Sequence, residues 1–161
     1  MHRLIAVAVV WSGVGWLAVG PVWAQEAACR PLFDAARKAQ TQPGIERTAV
    51  LGDPTKPSMT MIARKTASGW FMRRDAGAWQ AMPIDPEGQE RGMLDDGSAF
   101  SKCVAGATEV VGGESARTWT YVTSGMPSTI WISVARGLPL KVQAKGTLQT
   151  SVYQTTPYPR P

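Results

Sequence analysis

The side chains that most often catalyse reactions are few in this sequence. Its one histidine is His2, in an N-terminal segment that we predict is removed. The predicted mature chain therefore has no histidine. This rules out Ser-His-Asp and Cys-His nucleophile systems, histidine acid–base catalysis and histidine metal sites. Ser124 and Ser133 have no partner base at a recognisable spacing.

Pairs of acidic residues could replace histidine as general acid and base. Two such pairs lie in one glycine-containing stretch, Glu87 with Glu90 and Asp95 with Asp96. Neighbouring acids in such a stretch are more typical of a solvated surface than of a catalytic dyad. We predict no catalytic residue, no metal site and no cofactor, and keep a carboxylate-based hydrolase as a second alternative.

Two cysteines, Cys29 and Cys103, are the remaining reactive side chains. An even pair in a small exported domain most often forms a disulfide. The alternative is that Cys29 is the acylated first residue of a lipoprotein. Glu26 disfavours this alternative, because an apolar residue normally stands three positions before such a cysteine. The sequence therefore predicts a Cys29–Cys103 disulfide.

Residues 1–24 have the three regions of a cleavable signal peptide. Arg3 precedes an apolar run over residues 4–22, and Val22, Trp23 and Ala24 form the cleavage site before Gln25. A membrane span is the alternative, and three glycines and a proline within the run disfavour it. We predict export to a periplasm of the Gram-negative type, with no membrane span after cleavage.

The predicted mature chain has 137 residues, which is the length of one domain. We expect a single β-rich domain over residues 25–156 and an extended, loose proline-rich tail over 157–161. Loss of Arg3 leaves sixteen basic and twelve acidic side chains, a net charge of +4. These charges are scattered along the chain, so we predict no nucleic-acid partner.

The hydrophobic pattern predicts one helix and a series of short strands. Residues 29–41 have helical spacing, with Pro31 in the first turn and a narrow, alanine-rich apolar face suited to packing on a sheet. Residues 85–102 are irregular and predict a loose helix or a long loop. Alternation and turn residues predict an antiparallel meander, with strands over 46–51, 58–65, 69–75, 78–84, 108–111, 115–123, 128–134, 138–144 and 147–153.

The stretch 129–143, TIWISVARGLPLKVQ, predicts a hairpin with two apolar faces. Gly137 supplies the positive φ that the turn requires, and Pro139 indicates either an edge strand or a bulge. By simple alternation Leu138, Leu140 and Val142 share a face.

Aromatic and methionine side chains are the candidate ligand-lining residues, because both suit an adaptable apolar site. The alternative is ordinary core and cross-strand packing. The candidates are Trp70, Trp79, Trp119, Trp131, Met59, Met61 and Met72.

The segments VVGGESARTWTYV (110–122) and TIWISVARGLPLKVQ (129–143), after an N-terminal helix, resemble the periplasmic outer-membrane lipoprotein carriers and their lipoprotein-sorting relatives. The resemblance extends over about residues 29–153. It implies a curved, half-open antiparallel sheet with helices over one face and an apolar cavity for acyl chains between them. This chain is shorter than those carriers and has one clear helix. Candidates for the carriers' gating arginine are Arg64, Arg73, Arg74 and Arg117.

The fold prediction is thus α+β and mostly β, a curved antiparallel sheet with the N-terminal helix packed on it. We predict a periplasmic, non-catalytic binding protein whose partner is a lipid-like or hydrophobic ligand or a lipoprotein. The main alternative is an envelope protein–protein interaction or regulatory module without a ligand cavity.

Overall fold

The computed structural model describes the backbone of residues 22–161 and the side chains from residue 27 onward. The predicted signal peptide, residues 1–24, lies outside the described residues except for the backbone of its last three. Within the described part of the chain, no helix is long and apolar enough to cross a membrane.

Two helices and nine strands make up the described chain, and all nine strands form one sheet. The sheet is antiparallel, curved and not closed, with strand order β4-β3-β2-β1-β9-β8-β7-β6-β5. The predicted fold class is therefore confirmed. The elements are α1 (Val22–Gln40), β1 (Gly44–Asp53), β2 (Lys56–Thr66), β3 (Gly69–Arg74), β4 (Gln80–Ala81), α2 (Pro86–Asp95), β5 (Ser101–Val111), β6 (Glu114–Thr123), β7 (Met126–Ser133), β8 (Pro139–Ala144) and β9 (Thr147–Gln154).

Helix α1 packs its alanine-rich face on the sheet as predicted, with Leu32 and Ala35 almost fully buried. It begins earlier than the sequence suggested, and Pro31 lies inside the helix rather than in its first turn. Good helix formers upstream, such as alanine and glutamine, account for the extension. The predicted disulfide is confirmed, since Cys29 of α1 is bonded to Cys103 of β5.

The main core lies between α1 and strands β5–β8. Leu32 and Cys29 of α1 pack there against Tyr121, Ile130 and Ile132 of the sheet. Aromatic rings also link the helix to β6. Phe100 lies edge-on to both Phe33 of α1 and Tyr121 of β6, at centroid distances of 5.1 and 5.2 Å. The space between α1 and this half of the sheet is therefore filled by side chains.

Helix α2 occupies much of the stretch for which the sequence predicts a loose helix or a long loop. The Asp85 side chain caps it by accepting from the Glu87 N–H at 3.0 Å, and Pro86 stands at the first helical position. The predicted strand over 78–84 shrinks to Gln80–Ala81, because Pro83 has no N–H for a strand ladder. Of the apolar side chains of α2, only Leu94 is buried.

The β7–β8 hairpin corrects one predicted face. Trp131 pairs with Lys141 and Ile132 with Pro139, so Leu140 is an extra, bulged residue. The bulge turns Leu140 to the side of Trp131 and Ala116, while Val142 packs with the main core. The prediction that Leu140 shares a face with Val142 is therefore wrong, whereas the bulge indicated by Pro139 is confirmed.

The proline-rich tail is extended as predicted, but it is docked rather than loose. The Tyr158 N–H donates to the Lys65 carbonyl at 3.2 Å. The Arg64 guanidinium lies 5.2 Å from the Tyr158 ring centre and that of Arg160 lies 5.6 Å from the Phe71 ring. Cation–π contacts and one backbone hydrogen bond thus hold the tail on the sheet.

Glu114 ties the start of β6 to the β7–β8 turn. Its carboxylate accepts hydrogen bonds from Arg136 Nε at 2.9 Å and from the buried hydroxyl of Ser133. The Arg136 N–H in turn donates to Ser133 Oγ at 2.8 Å. These bonds, first from Arg136 and then from Ser133, hold the pKa of Glu114 below its ordinary value.

Replacing Glu114 with glutamine is expected to lower the free energy of unfolding by about 1 kcal/mol at neutral pH. Because the pKa is lower in the folded protein, the carboxylate's contribution is complete above its ordinary value near 4.5. It is lost as the pH falls through the lower folded value. In urea denaturation the gap between the two proteins should therefore close as the pH falls below about 4. A gap that stays constant in acid would contradict this origin.

Candidate functional site

The two faces of the sheet differ in what covers them. We call the face that carries α1 the helix face and the opposite one the outer face. Helix α1 packs on β5 and β8 and against α2. In its last turn the Gln40 carbonyl accepts a hydrogen bond from Lys65 Nζ of β2 at 3.0 Å. Helix α1 therefore leaves most of the helix face of β1–β3 uncovered.

Strand register brings an apolar set together on this open part. Ala49 of β1 pairs with Met61 of β2, and Ala63 of β2 pairs with Met72 of β3. These residues border a cleft of about 180 Å³ whose surface is mainly apolar. Its lining residues are Arg47, Ala49, Met61, Ala63, Trp70, Met72, Met82, Pro86 and Gln149.

Arg47, Trp70 and Gln149 supply the polar side-chain groups of the cleft. The Arg47 guanidinium lies 5.4 Å from the Trp70 ring centre, and Arg47 Nη2 donates to Glu90 at 3.2 Å. Trp70 is only 7% exposed. Among the described residues, neither Arg47 Nε nor Trp70 Nε1 has a hydrogen-bond acceptor, although both atoms are buried.

Helix α2 borders the cleft and is held there by two ion pairs. Lys65 Nζ lies 2.7 Å from Glu87 Oε1, and Arg47 pairs with Glu90. The apolar anchor of α2 is small, a cluster of Leu94 with Ala36 and Ala99. Electrostatic contacts therefore provide much of what fixes α2 against the sheet.

The predicted lining residues separate in the structure. Trp70, Met61 and Met72 meet in the cleft. Met59 lies outside its lining and contacts Arg74, with Arg74 Nε 2.7 Å from Met59 Sδ. Trp119 packs against the main core under α1.

Two of the four predicted tryptophans lie on the outer face. Trp131 packs with Ala116 and Leu140, and its Nε1 donates to Glu109 at 2.8 Å. Trp79 is placed between Arg64 and Arg73, with distances of 4.8 and 5.1 Å from ring centre to guanidinium carbon. Neither of them reaches the cleft.

Three of the four residues in the predicted acidic pairs have a partner of their own. Glu87 and Glu90 each tether α2 to the sheet through the ion pairs above. Asp96 accepts from Ser98, and hydrogen bonds from the Ser98 hydroxyl and N–H lower its pKa. Among the described residues, no group of three or more histidine, cysteine or acidic side chains could hold a metal ion.

Among the cleft residues that the sequence analysis missed, Arg47 is the charged one. The arginines considered instead include Arg64 and Arg73, which are engaged with Trp79 on the outer face. Arg47 stands two residues before Ala49, which puts both on one face of β1. The sequence shows this spacing, but it identifies Arg47 as a cleft residue only when β1 is known to pair with β2.

Two other clefts are larger but less suited to an apolar ligand. One, of about 560 Å³, lies over β6–β8 between Lys102 and Lys145, and its surface is almost as polar as it is apolar. The other, of about 320 Å³, follows the β3–β4 turn and is bordered by Arg73 and Arg74. Chemistry rather than volume therefore points to the smaller cleft.

The comparisons with known proteins concern the fold. No protein-family model matches the sequence, and no curated protein is detectably similar to it. Among solved structures, LprF from Mycobacterium bovis is similar with a TM-score of 0.52 at 8% identity, over 84% of this chain and 95% of LprF. The Mycobacterium tuberculosis lipoprotein LppX follows with a TM-score of 0.50 at 11% identity, over 88% and 99%.

MucB, solved in complex with MucA(peri), gives a TM-score of 0.50 at 17% identity; the match covers 81% of this chain and 57% of MucB. These likenesses show a shared fold. The predicted resemblance to the lipoprotein carriers is thereby confirmed at the level of the fold: a curved, open antiparallel sheet with a helix packed on one face.

Proposed function

We propose that this protein is a non-catalytic binding protein for a lipid-like or otherwise hydrophobic ligand, which it holds in the cleft on the helix face of β1–β3. The observation that carries the proposal is the contrast between the two halves of that face. Helix α1 fills the half over β5–β8, whereas Met61, Met72 and Trp70 border an open cleft in the other half. Methionine and tryptophan together suit ligands of variable shape.

The size of the cleft limits what it can hold. Pockets that enclose a drug-sized ligand are about 300–1,000 Å³, and this cleft is about 180 Å³. It therefore takes one end of an apolar chain while α2 stays in place. A longer segment requires α2 to move outward, and the ion pairs of Glu87 and Glu90 are the contacts that would open.

The proposed place of action is the bacterial envelope. A disulfide in a domain of this size is typical of an oxidising compartment, and the N-terminal residues have the pattern of a signal peptide. Lipids and lipoproteins are the apolar ligands available there. The likeness to LppX, itself a lipoprotein, supports this setting through the fold alone.

Ala49→Phe is expected to weaken binding of a fluorescent acyl probe at least about tenfold, because the ring occupies the cleft. Thr48→Phe is the matched control, since it places the same side chain on the other face of the same strand. Titration of the delipidated proteins, followed by fluorescence, measures the affinity of both variants, and circular dichroism verifies that they fold.

Native mass spectrometry of protein from the periplasm should show a bound acyl species. Absence of any bound lipid, with no probe binding, would overturn the proposal.

A protein partner is the second candidate function, favoured by the edge strand β5. Residues 104–110 are all exposed, with Val104 at 61% and Val110 at 75%. An open edge can accept a further strand from another chain. Crosslinking in the envelope through a photoreactive residue at position 110 tests this candidate, and capture of a defined protein together with an empty cleft would favour it.

A further inference from the structure

We infer that the ligand carries a carbonyl-type acceptor oxygen at the end of its apolar chain, and that Arg47 Nε and Trp70 Nε1 donate to it. This inference rests on the proposed function, because it specifies the ligand of the same cleft. The two atoms are the only buried donors lining the cleft that lack an acceptor among residues 27–161.

Two neighbouring donors without acceptors need an explanation. Buried N–H groups in folded proteins nearly always have a partner, because an unsatisfied buried donor is costly. Trp70 Nε1 could be satisfied by a nearby side chain, as Trp131 Nε1 is by Glu109 at 2.8 Å. Of the side chains that line the cleft, only that of Gln149 carries an acceptor oxygen, and neither donor is bonded to it. An oxygen brought by the ligand would supply the missing acceptor.

The charges around the cleft define the kind of oxygen. Glu90 already pairs with Arg47 through Nη2 and Glu87 with Lys65, so the two cations and two anions balance. A ligand therefore does not need a full negative charge to be accepted. The shared chemistry is an acyl carbonyl oxygen, present both in a free fatty acid and in an acyl ester of a lipid or lipoprotein.

The apolar lining sets the geometry of the rest of the ligand. With the oxygen between Arg47 and Trp70, the first part of the chain lies along Ala49, Met61 and Met72. The strand register places Ala49 opposite both Met61 on β2 and Gln149 on β9. The chain thus crosses the middle of the sheet, where β1 meets β9.

Nuclear magnetic resonance of the indole N–H groups in the wild-type protein tests the inference without any substitution. On addition of myristate, or of methyl myristate, the Trp70 Nε1–H signal is expected to move downfield as it gains an acceptor. The Trp131 signal is the internal control, because its Nε1–H already donates to Glu109 on the outer face. Tetradecyltrimethylammonium, a chain of the same length without an acceptor, should leave the Trp70 signal in place.

Trp70→Phe keeps an aromatic ring and removes the donor, so affinity for myristate should fall about tenfold. Trp119→Phe, under α1 and outside the cleft, should bind as tightly as the wild type. Suppose that myristate and tetradecyltrimethylammonium bind equally well and that the Trp70 signal does not move with either. That result would overturn the inference and leave the proposed function intact. Failure of every chain to bind would overturn both. A response to myristate but not to its methyl ester would replace the carbonyl assignment by a carboxylate.

Discussion

Replacing Cys29 and Cys103 together with alanine is expected to lower the free energy of unfolding by about 4 kcal/mol. The disulfide closes a loop across 74 residues, and in the chain-entropy model a cross-link of that span removes much of the freedom of the unfolded chain. It also ties α1 to β5, the contact through which the helix covers the main core. Both sulfurs lie in that core, so their packing is lost as well.

Guanidinium denaturation of the variant and of the wild type measures this loss. The reduced wild-type protein is the matched control, since it keeps both sulfur atoms in the core and lacks only the covalent link. Reduced wild type should account for most of the difference. A double variant within about 1 kcal/mol of the oxidised protein would contradict the expectation.

Leu32→Ala is expected to lower the free energy of unfolding by about 3 kcal/mol, the second-largest effect among these predictions. Leu32 is fully buried at 0% exposure in the main core, and truncating a buried leucine loses its transfer free energy and leaves a cavity. The surrounding groups belong to a disulfide-linked helix and a paired sheet, so they can collapse only partly around the gap.

Urea denaturation at neutral pH measures the Leu32 variant against a matched truncation on the surface. Val110 is 75% exposed on the edge strand, so Val110→Ala should change the free energy of unfolding by less than about 0.5 kcal/mol. Similar losses for the two variants would mean that α1 does not form the core described here.

Most strands were predictable because their residues alternate and their turns carry glycine. The predicted strand over 115–123 is Glu114–Thr123 in the structure, and that over 147–153 is Thr147–Gln154. Strand-forming side chains and turn residues act over a few positions, so a local pattern is enough to reveal them. The disulfide was predictable because there were only two cysteines to join.

The sequence left α2 open between a loose helix and a long loop, because its stability depends on partners distant in the sequence. Gly88 and Gly92 weaken its intrinsic propensity. The contacts that hold it are the Asp85 cap, which is local, and the ion pairs of Glu87 and Glu90 with β2 and β1, which are not. Tertiary contacts here outweigh local preference.

The amino-acid sequence by itself determined the alternation of the strands, the apolar face of α1, the disulfide and the scarcity of catalytic side chains. Only the tertiary structure decided which of the predicted tryptophans lies in the cleft. β1 pairs with β9 across nearly the whole described chain, with Ile45 opposite Tyr153, and that pairing sets which faces are continuous. Trp70 lies in the cleft and Trp131 on the outer face because side-chain direction follows register and bulges, and register is set by contacts between distant strands.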